Sequence, residues 1–364
     1  MRKQLLVGII HELTMGGAER MMVNILNHFS SKEEEVHLII FKNIGTLKAL
    51  LDSNIVVHDL ESSSVKKSMP KCLLKLHQIK PSIIFSGIGH VNIALAPFIP
   101  LMKIALPQTR WVSRETNIVS MQNQGSKYPK VFDWLYRNVY KNYDVIVAQS
   151  EDMKNDLKEH YPKAFQKCLV INNPIDIERV EALAKENIEP NSKLKTINLV
   201  SVGTLSPRKR QGLLLKCLEK LPLDYSLTVV GSGDEELKLK SLTQTLALEN
   251  RVSFEGHKTN PYPYMKRADL FILTSEHEGF PNVLLEANAL GLPVIAFACP
   301  GGITEIIEEG VNGFSVSNGD IDALASSIKK AINYGFDENA MVDSVRKRFS
   351  HNIILDKYKE VFYG

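Results

Sequence analysis

Cysteine is scarce and scattered: Cys72, Cys168, Cys217 and Cys299 are the only four in 364 residues, and none belongs to a C-x-x-C pair. This excludes a disulfide framework and a cysteine-built zinc site, and fits reduced thiols in a cytosolic protein. Long hydrophobic runs are missing as well. No stretch reaches the ~18 apolar residues of a spanning helix, and the nearest, Val91–Leu106, is interrupted by Pro97, Pro100 and Lys103. The opening Met1–Ile10 superficially resembles a secretion signal, but its short apolar run meets His11 and Glu12 without a small-residue cleavage site, so it reads as a first strand. Charge of one sign is not in large excess: the net +3 is too small for a dedicated nucleic-acid binder. There is no repeat, no low-complexity tract and no G-x-G-x-x-G. Gly231-Ser-Gly233 is a fragment that reads as a strand-to-helix turn, which weakens a nicotinamide-dinucleotide reading. The only D-x-D, Asp320-Ile-Asp322, sits after Gly319 and before Ala-Leu-Ala, where acids at a helix start explain it better than a metal site.

What is present is enough apolar residue, 44%, to build more than one core in a chain of this length. Short β-branched runs alternate with longer helical patterns, the signature of βαβ units and parallel sheets. Strands are expected at Leu5–Ile10, Glu35–Phe41, Ile55–Asp59, Ser82–Ser86, Arg110–Arg114, Val145–Ala148 and Lys167–Ile171 in the first half. In the second they are expected at Ile197–Val202, Ser226–Val230, Val252–Glu255, Leu270–Thr274, Val294–Ala298 and Gly313–Val316. The class is therefore α/β, with two doubly wound Rossmann-like domains over 1–172 and 173–348. The turn-rich Asn172-Asn-Pro-Ile-Asp176 joins them, and a helix over 349–364 either closes one domain or crosses back to the first. The modest net charge hides a division. Residues 1–170 carry 22 Lys and Arg against 15 Asp and Glu, whereas 171–364 carry 22 against 26.

The densest chemistry lies in Glu278-Gly-Phe-Pro-Asn-Val-Leu-Leu-Glu286, between a strand end near Thr274 and a helix expected to start around Asn282, a good capping residue. Both carboxylates fall near the carboxyl end of a parallel sheet, where open α/β sheets bind ligands. Amides at the helix start, from about Val283 and Leu284, suit a phosphate, and flanking carboxylates suit sugar hydroxyls. An isolated glutamate pair would be an ordinary helix cap and a solvated loop residue; the full string is more specific.

This string resembles the E-x7-E signature of the retaining glycosyltransferases of family 4, the group-1 family with the GT-B fold. The resemblance extends through Gly16-Gly-Ala-Glu-Arg20, Val202-Gly-Thr-Leu-Ser-Pro-Arg-Lys209, Val229-Val-Gly-Ser-Gly-Asp-Glu235, Asn260-Pro-Tyr-Pro-Tyr-Met-Lys-Arg-Ala-Asp269 and Cys299-Pro-Gly-Gly-Ile-Thr-Glu-Ile306. It implies two Rossmann-like domains facing across a cleft, the second binding a nucleotide diphosphate sugar and the first an acceptor. Glu278 would contact hydroxyls of the transferred sugar and Glu286 the ribose, while the backbone of Gly279, Phe280, Pro281, Asn282, Val283 and Leu284 serves sugar and pyrophosphate. Lys209 matches the family's lysine. The family's arginine after the preceding glycine is replaced by Thr204, leaving Arg208 or Arg210 to compensate. Gly16 and Gly17 would lie near donor phosphate or acceptor, His90 beside the reacting carbon as a catalytic residue with Glu278 and Lys209, and His257 near the base. Arg114 would face the acceptor or form an ion pair with Glu115.

The expected reaction is transfer of a hexose or N-acetylhexosamine from a nucleotide diphosphate sugar, UDP-linked, to a glycan acceptor carried on a polyprenyl lipid, in polysaccharide or O-antigen assembly. No metal or other cofactor is expected. A sugar-nucleotide epimerase or hydrolase and a non-catalytic binding module are the alternatives. Lys66, Lys67, Lys71, Lys75 and Lys80, followed by Lys127, Lys130, Arg137 and Lys141 among Tyr128, Phe132, Trp134, Leu135 and Tyr136, fit either an anionic membrane surface or solvated helix faces over a buried aromatic stripe. The former would place a cytoplasmic enzyme peripherally at the inner face of the cell membrane.

Overall fold

The computed structural model describes residues 4–14, 16–31, 34–189 and 196–364; Met15, in the first glycine loop, lies outside the described residues. The chain divides into two compact units, Met1–Asn173 with Ile354–Gly364, and Pro174–Ile353.

The first unit holds a sheet of β1 (Leu5–Ile10), β2 (Glu35–Ile40), β3 (Val56–Asp59), β4 (Ile83–Ser86), β5 (Arg110–Arg114), β6 (Val145–Ala148) and β7 (Cys168–Val170). The order is β3-β2-β1-β4-β5-β6-β7, all parallel. The second unit's sheet contains β8 (Ile197–Val202), β9 (Tyr225–Val230), β10 (Val252–Gly256), β11 (Leu270–Leu273), β12 (Val294–Phe297) and β13 (Gly313–Val316), ordered β10-β9-β8-β11-β12-β13 and again parallel. Each sheet starts in its middle, winds outward one way and returns to wind the other way. The reversal falls between β1 and β4 in one unit and between β8 and β11 in the other, leaving a crevice at the strand carboxyl ends there.

Apolar runs make these strands because both sheet faces are covered. In the second unit Phe271, Leu273, Val294 and Ala296 pack on one side with the Asn282–Ala289 helix. Their neighbours Leu270, Ile272, Ile295 and Phe297 pack on the other with the Gln211–Glu219 and Ile321–Ile332 helices. In the first unit, right-handed crossovers put the Gly17–Ser30 helix on one face. The connections from β3 through β6, including the Val65–Ile79, Gly89–Leu95, Ile99–Ala105 and Pro129–Asn138 helices, cover the opposite face.

The closing helix runs His351–Tyr363, and Ile354, Leu355, Tyr358 and Phe362 enter the first unit's core. The Phe362 ring lies 5.1 Å from Phe29 and 5.3 Å from Phe85. The four cysteines are free, and burial pushes each thiol up to about 12. No described helix is long and apolar enough to cross a membrane.

Candidate functional site

Glu278 occupies the reversal point of the second sheet, in the loop after β11. It is buried, 5% exposed, and its carboxylate is bonded by two cations and a hydroxyl. Oε1 accepts from Lys209 Nζ at 2.5 Å and from Ser275 Oγ at 2.5 Å; Oε2 accepts from Arg208 Nη1 at 2.8 Å. Burial alone drives the carboxyl upward, but the neighbouring Lys209 and Arg208 charges and the hydrogen bonds overcome it and hold the group below its ordinary value. Glu278 is therefore an anion, with two cations on one carboxylate and one positive charge in surplus.

The loop geometry explains why the cations reach it. Pro207–Lys209 forms one short turn, and Arg210 adopts left-handed backbone at φ 51° to start the Gln211–Glu219 helix. Thr274 Oγ1 donates to the carbonyls of Lys209 and Arg210, and Glu276 N donates to the Arg208 carbonyl at 2.8 Å, tying this loop to the one after β11. Two glycines permit the close approach. A Cβ on Gly231 (φ +144°) would stand 1.9 Å from the Gly203 carbonyl oxygen, and one on Gly301 (φ +115°) would stand 1.9 Å from that of Glu278. The Glu278 amide donates to Pro300 O at 2.9 Å.

The two arginines that could compensate for Thr204 point differently. Arg208 points into the site, where it also donates to His277 O at 2.9 Å, whereas Arg210 turns away to Glu276 (2.5 Å) and Asn318 (3.2 Å). Glu286 is half-buried on its helix and accepts from Tyr262 Oη at 3.2 Å, a link between helices and not a cap. That helix is capped by Pro281, whose ring fixes φ near its observed −78°, so Asn282 is its first residue and not its cap. The Leu284 amide bonds Pro281 O at 3.0 Å, so the expected phosphate-binding amide at that position is occupied. The Leu284 side chain is fully in the core, and Phe280 stacks edge-on against Phe349 at 5.7 Å, so both contribute packing. Gly279 and Pro281 are buried and Val283 half-buried. His257 stands exposed in the loop after the edge strand β10. Asp320 accepts from Ala323 N at 2.8 Å as a helix cap, and Asp322 pairs with Lys220 at 2.5 Å.

In the first unit the reversal point gathers a different set. Gly16 caps the Gly17–Ser30 helix with the Glu19 carboxylate folded over it, and beside Gly17 a Cβ would meet nothing within 4 Å. Burial raises the Glu19 pKa. His90 begins the helix after β4, its ring 5.2 Å from that of His11. Loss of water, then the nearness of His11, keep its pKa below the ordinary histidine value, so it is neutral at pH 7. Arg114 is 1% exposed and donates to Asn173 Oδ1 at 2.6 Å, while Glu115 is hydrogen-bonded by Tyr140 and Asn92. Burial lowers the Arg114 pKa against the pull of the Tyr358 hydroxyl and the Glu115 and Glu19 carboxylates. Sequence reading missed Ser275, Glu19 and His11. Ser275 had a signal, since a hydroxyl three residues before Glu278 can reach its carboxylate across a turn.

Residues 15–179 match the family described as Glycosyltransferase Family 4, and residues 184–348 match Glycosyl transferases group 1, which between them cover nearly the whole chain. The chain belongs to the family 4 glycosyltransferases. This glycosyltransferase is 27% identical, over 88% of both chains, to the N-acetylgalactosamine-N,N'-diacetylbacillosaminyl-diphospho-undecaprenol 4-alpha-N-acetylgalactosaminyltransferase of Campylobacter jejuni. It is 26% identical, over 97% of its own length and 96% of the other, to the capsular polysaccharide biosynthesis glycosyltransferase CapM of Staphylococcus aureus. Its fold matches the crystal structure of Anabaena HepE in complex with UDP, with a TM-score of 0.79, 22% identity and 98% and 99% of the two chains covered. The two parallel-sheet domains are those of the GT-B glycosyltransferases.

Proposed function

We propose that this glycosyltransferase moves a hexose or N-acetylhexosamine from a UDP sugar, with retention at the anomeric carbon and without a metal ion, to a lipid-linked glycan in cell-surface polysaccharide or O-antigen assembly. The observation that carries the reading is the Arg208–Glu278–Lys209 cluster. It supplies two cations for a diphosphate leaving group and a carboxylate for sugar hydroxyls, at the sheet position where α/β folds take ligands. As the bond from the anomeric carbon to the β-phosphate oxygen breaks, the electron pair goes to the phosphate, and Arg208 and Lys209 stabilise that charge. The acceptor hydroxyl attacks from the same face, and its proton passes to the departing phosphate oxygen, so no covalent enzyme intermediate forms. Glu286 takes the ribose, the backbone of Gly279–Val283 frames the sugar, and His257 lies toward the base. Gly16, Gly17 and neutral His90 serve the acceptor. The UDP complex of HepE and the undecaprenol-linked substrate named for the Campylobacter relative support the choice of base and carrier.

The test incubates purified protein with a panel of radiolabelled nucleotide sugars, with and without detergent-solubilised membrane extract, and follows free UDP and labelled lipid. Labelled lipid from a UDP sugar, abolished in Glu278→Ala and Lys209→Ala variants that still fold, is the expected result. UDP release or sugar isomerisation without extract would replace transfer by hydrolysis or epimerisation, and donor affinity without turnover would make the chain a binding module.

A further inference from the structure

The Glu286 carboxylate, which its sequence pattern would leave to its own helix, is held from a second one. Tyr262 begins a short helix, Tyr262–Lys266, in the connection between β10 and β11. Its ring is 5% exposed and belongs to the same core as Leu285 and Ala289 of the Asn282–Ala289 helix and Ile177 and Val180 of the Ile177–Leu183 helix. A buried phenol carries its hydroxyl at the end of a rigid ring, where it needs a polar partner. That partner is Glu286, whose Oε1 accepts from Tyr262 Oη at 3.2 Å.

The tyrosine is fixed and cannot swing away from this contact. Asn260 anchors the start of its helix: Oδ1 accepts from the Tyr262 amide at 3.2 Å, while Nδ2 donates to Leu183 O at 2.8 Å and to Glu186 Oε2 at 2.7 Å. Pro263 and Met265 are buried behind it. At the far end Lys266 Nζ donates to Leu290 O at 3.0 Å. The two helices are therefore tied at successive turns, 262 to 286 and 266 to 290, each step being about one turn of helix.

Glu286 needs such a support. It is half-buried on its helix, and a glutamate side chain that orders only when its ligand arrives gives up rotamer freedom at the expense of affinity. A ribose offers two neighbouring hydroxyl donors, so the plane of the carboxylate decides how well both are met. A hydroxyl already donated to one oxygen sets that plane in advance. Resting on the ribose role proposed above for Glu286, we propose that Tyr262 is its positioning residue: the phenol hydroxyl holds the carboxylate in the orientation that accepts from the ribose hydroxyls, and so sets the preference of the donor site for a ribonucleotide. Tyr262 acts through Glu286 and takes no part in the transfer step.

The experiment titrates UDP and 2′,3′-dideoxy-UDP into the full chain by calorimetry, so neither the sugar nor the acceptor enters the measurement. The parent should bind UDP at least about tenfold more tightly than the dideoxy analogue, because a site that bonds a hydroxyl is left with an unpaired polar group when the hydroxyl is missing. Tyr262→Phe keeps the ring and its packing; it should weaken UDP about tenfold and change the dideoxy analogue less than about threefold, so that the preference collapses. Added to Glu286→Ala, the same substitution should cost nothing further, since the tyrosine acts only through that carboxylate. Unchanged UDP affinity in Tyr262→Phe, a loss shared equally by both nucleotides, or a loss additive with that of Glu286→Ala would each overturn the proposal and leave the tyrosine a strut between helices. A parent chain that binds the two nucleotides alike overturns it together with the ribose role of Glu286, and one that binds neither removes the UDP reading as well.

Discussion

The carboxylate of Glu278 owes its ionised state to Lys209 and Arg208, and each can be tested singly. Replacing Lys209 by Met leaves burial less opposed, so the Glu278 pKa rises, seen by NMR as a shift of its carboxyl titration to higher pH. The stability effect has the same origin. A depressed folded pKa contributes stability that is present above the unfolded value and lost as pH falls through the folded one, so the difference in urea midpoint between the parent and the Met variant narrows as the pH falls below the ordinary carboxyl range. The Met variant should also lose about 1–3 kcal/mol at pH 7, measured by urea unfolding. Arg208→Met should lower kcat/KM by about 100-fold, as expected for loss of a charge-assisted contact to the leaving group, whereas Arg210→Met, whose partners are the exposed Glu276 and Asn318, should change it less than about threefold. A reversed order of those two variants in steady-state assays would remove Arg208 from the site. Spacing alone could not have chosen between them. Of three consecutive basic residues, Arg208 and Lys209 meet at Glu278 while Arg210, at positive φ, points away, and no residue type in the string announces that turn.

At the level of elements, the thirteen strands among the described residues are legible in the sequence, with ends off by one residue or none. Parallel strands covered on both faces must be continuous apolar runs, and few other segments of this chain are. Helix starts and burial were less legible. Asn282 has the chemistry of a cap, yet Pro281 takes the position, and the near-complete burial of Arg114 against Asn173 is not visible in the sequence. The loops make their own prediction. Gly231→Ala forces a methyl to within 1.9 Å of a carbonyl oxygen at an unfavourable φ and should cost more than about 3 kcal/mol by chemical denaturation. Gly17→Ala meets nothing and should leave the melting temperature unchanged. If the acceptor approaches Gly17, the same variant raises the acceptor KM, which separates a ligand role from a folding one.

Over the whole molecule, the charge division visible in the sequence follows the two units: the basic excess belongs to the first, while in the second Arg208 and Lys209 meet Glu278 from one loop. The less expected feature is the discontinuity of the first unit. Its core includes Tyr358 and Phe362 from the end of the chain. A fragment ending at Asn173 should therefore be poorly folded by circular dichroism and recover structure when a peptide of residues 351–364 is added; a stably folded fragment without the peptide would show that the closing helix is ornamental. Deleting residues 354–364 from the full chain removes two large aromatic side chains from contact with Phe29 and Phe85, worth about 3–5 kcal/mol each.

That helix also sets an order in time. Domains ordinarily complete themselves as they leave the ribosome, the amino-terminal one first. Here the second unit, continuous from Pro174 to Ile353, has all its parts while the first still lacks a wall of its core. The half made earliest is finished last, only when residues 354–362 are free of the exit tunnel. A chain terminated before them thus keeps an open apolar seam beside buried Arg114, and translation through Phe362 is itself a condition for a closed first domain.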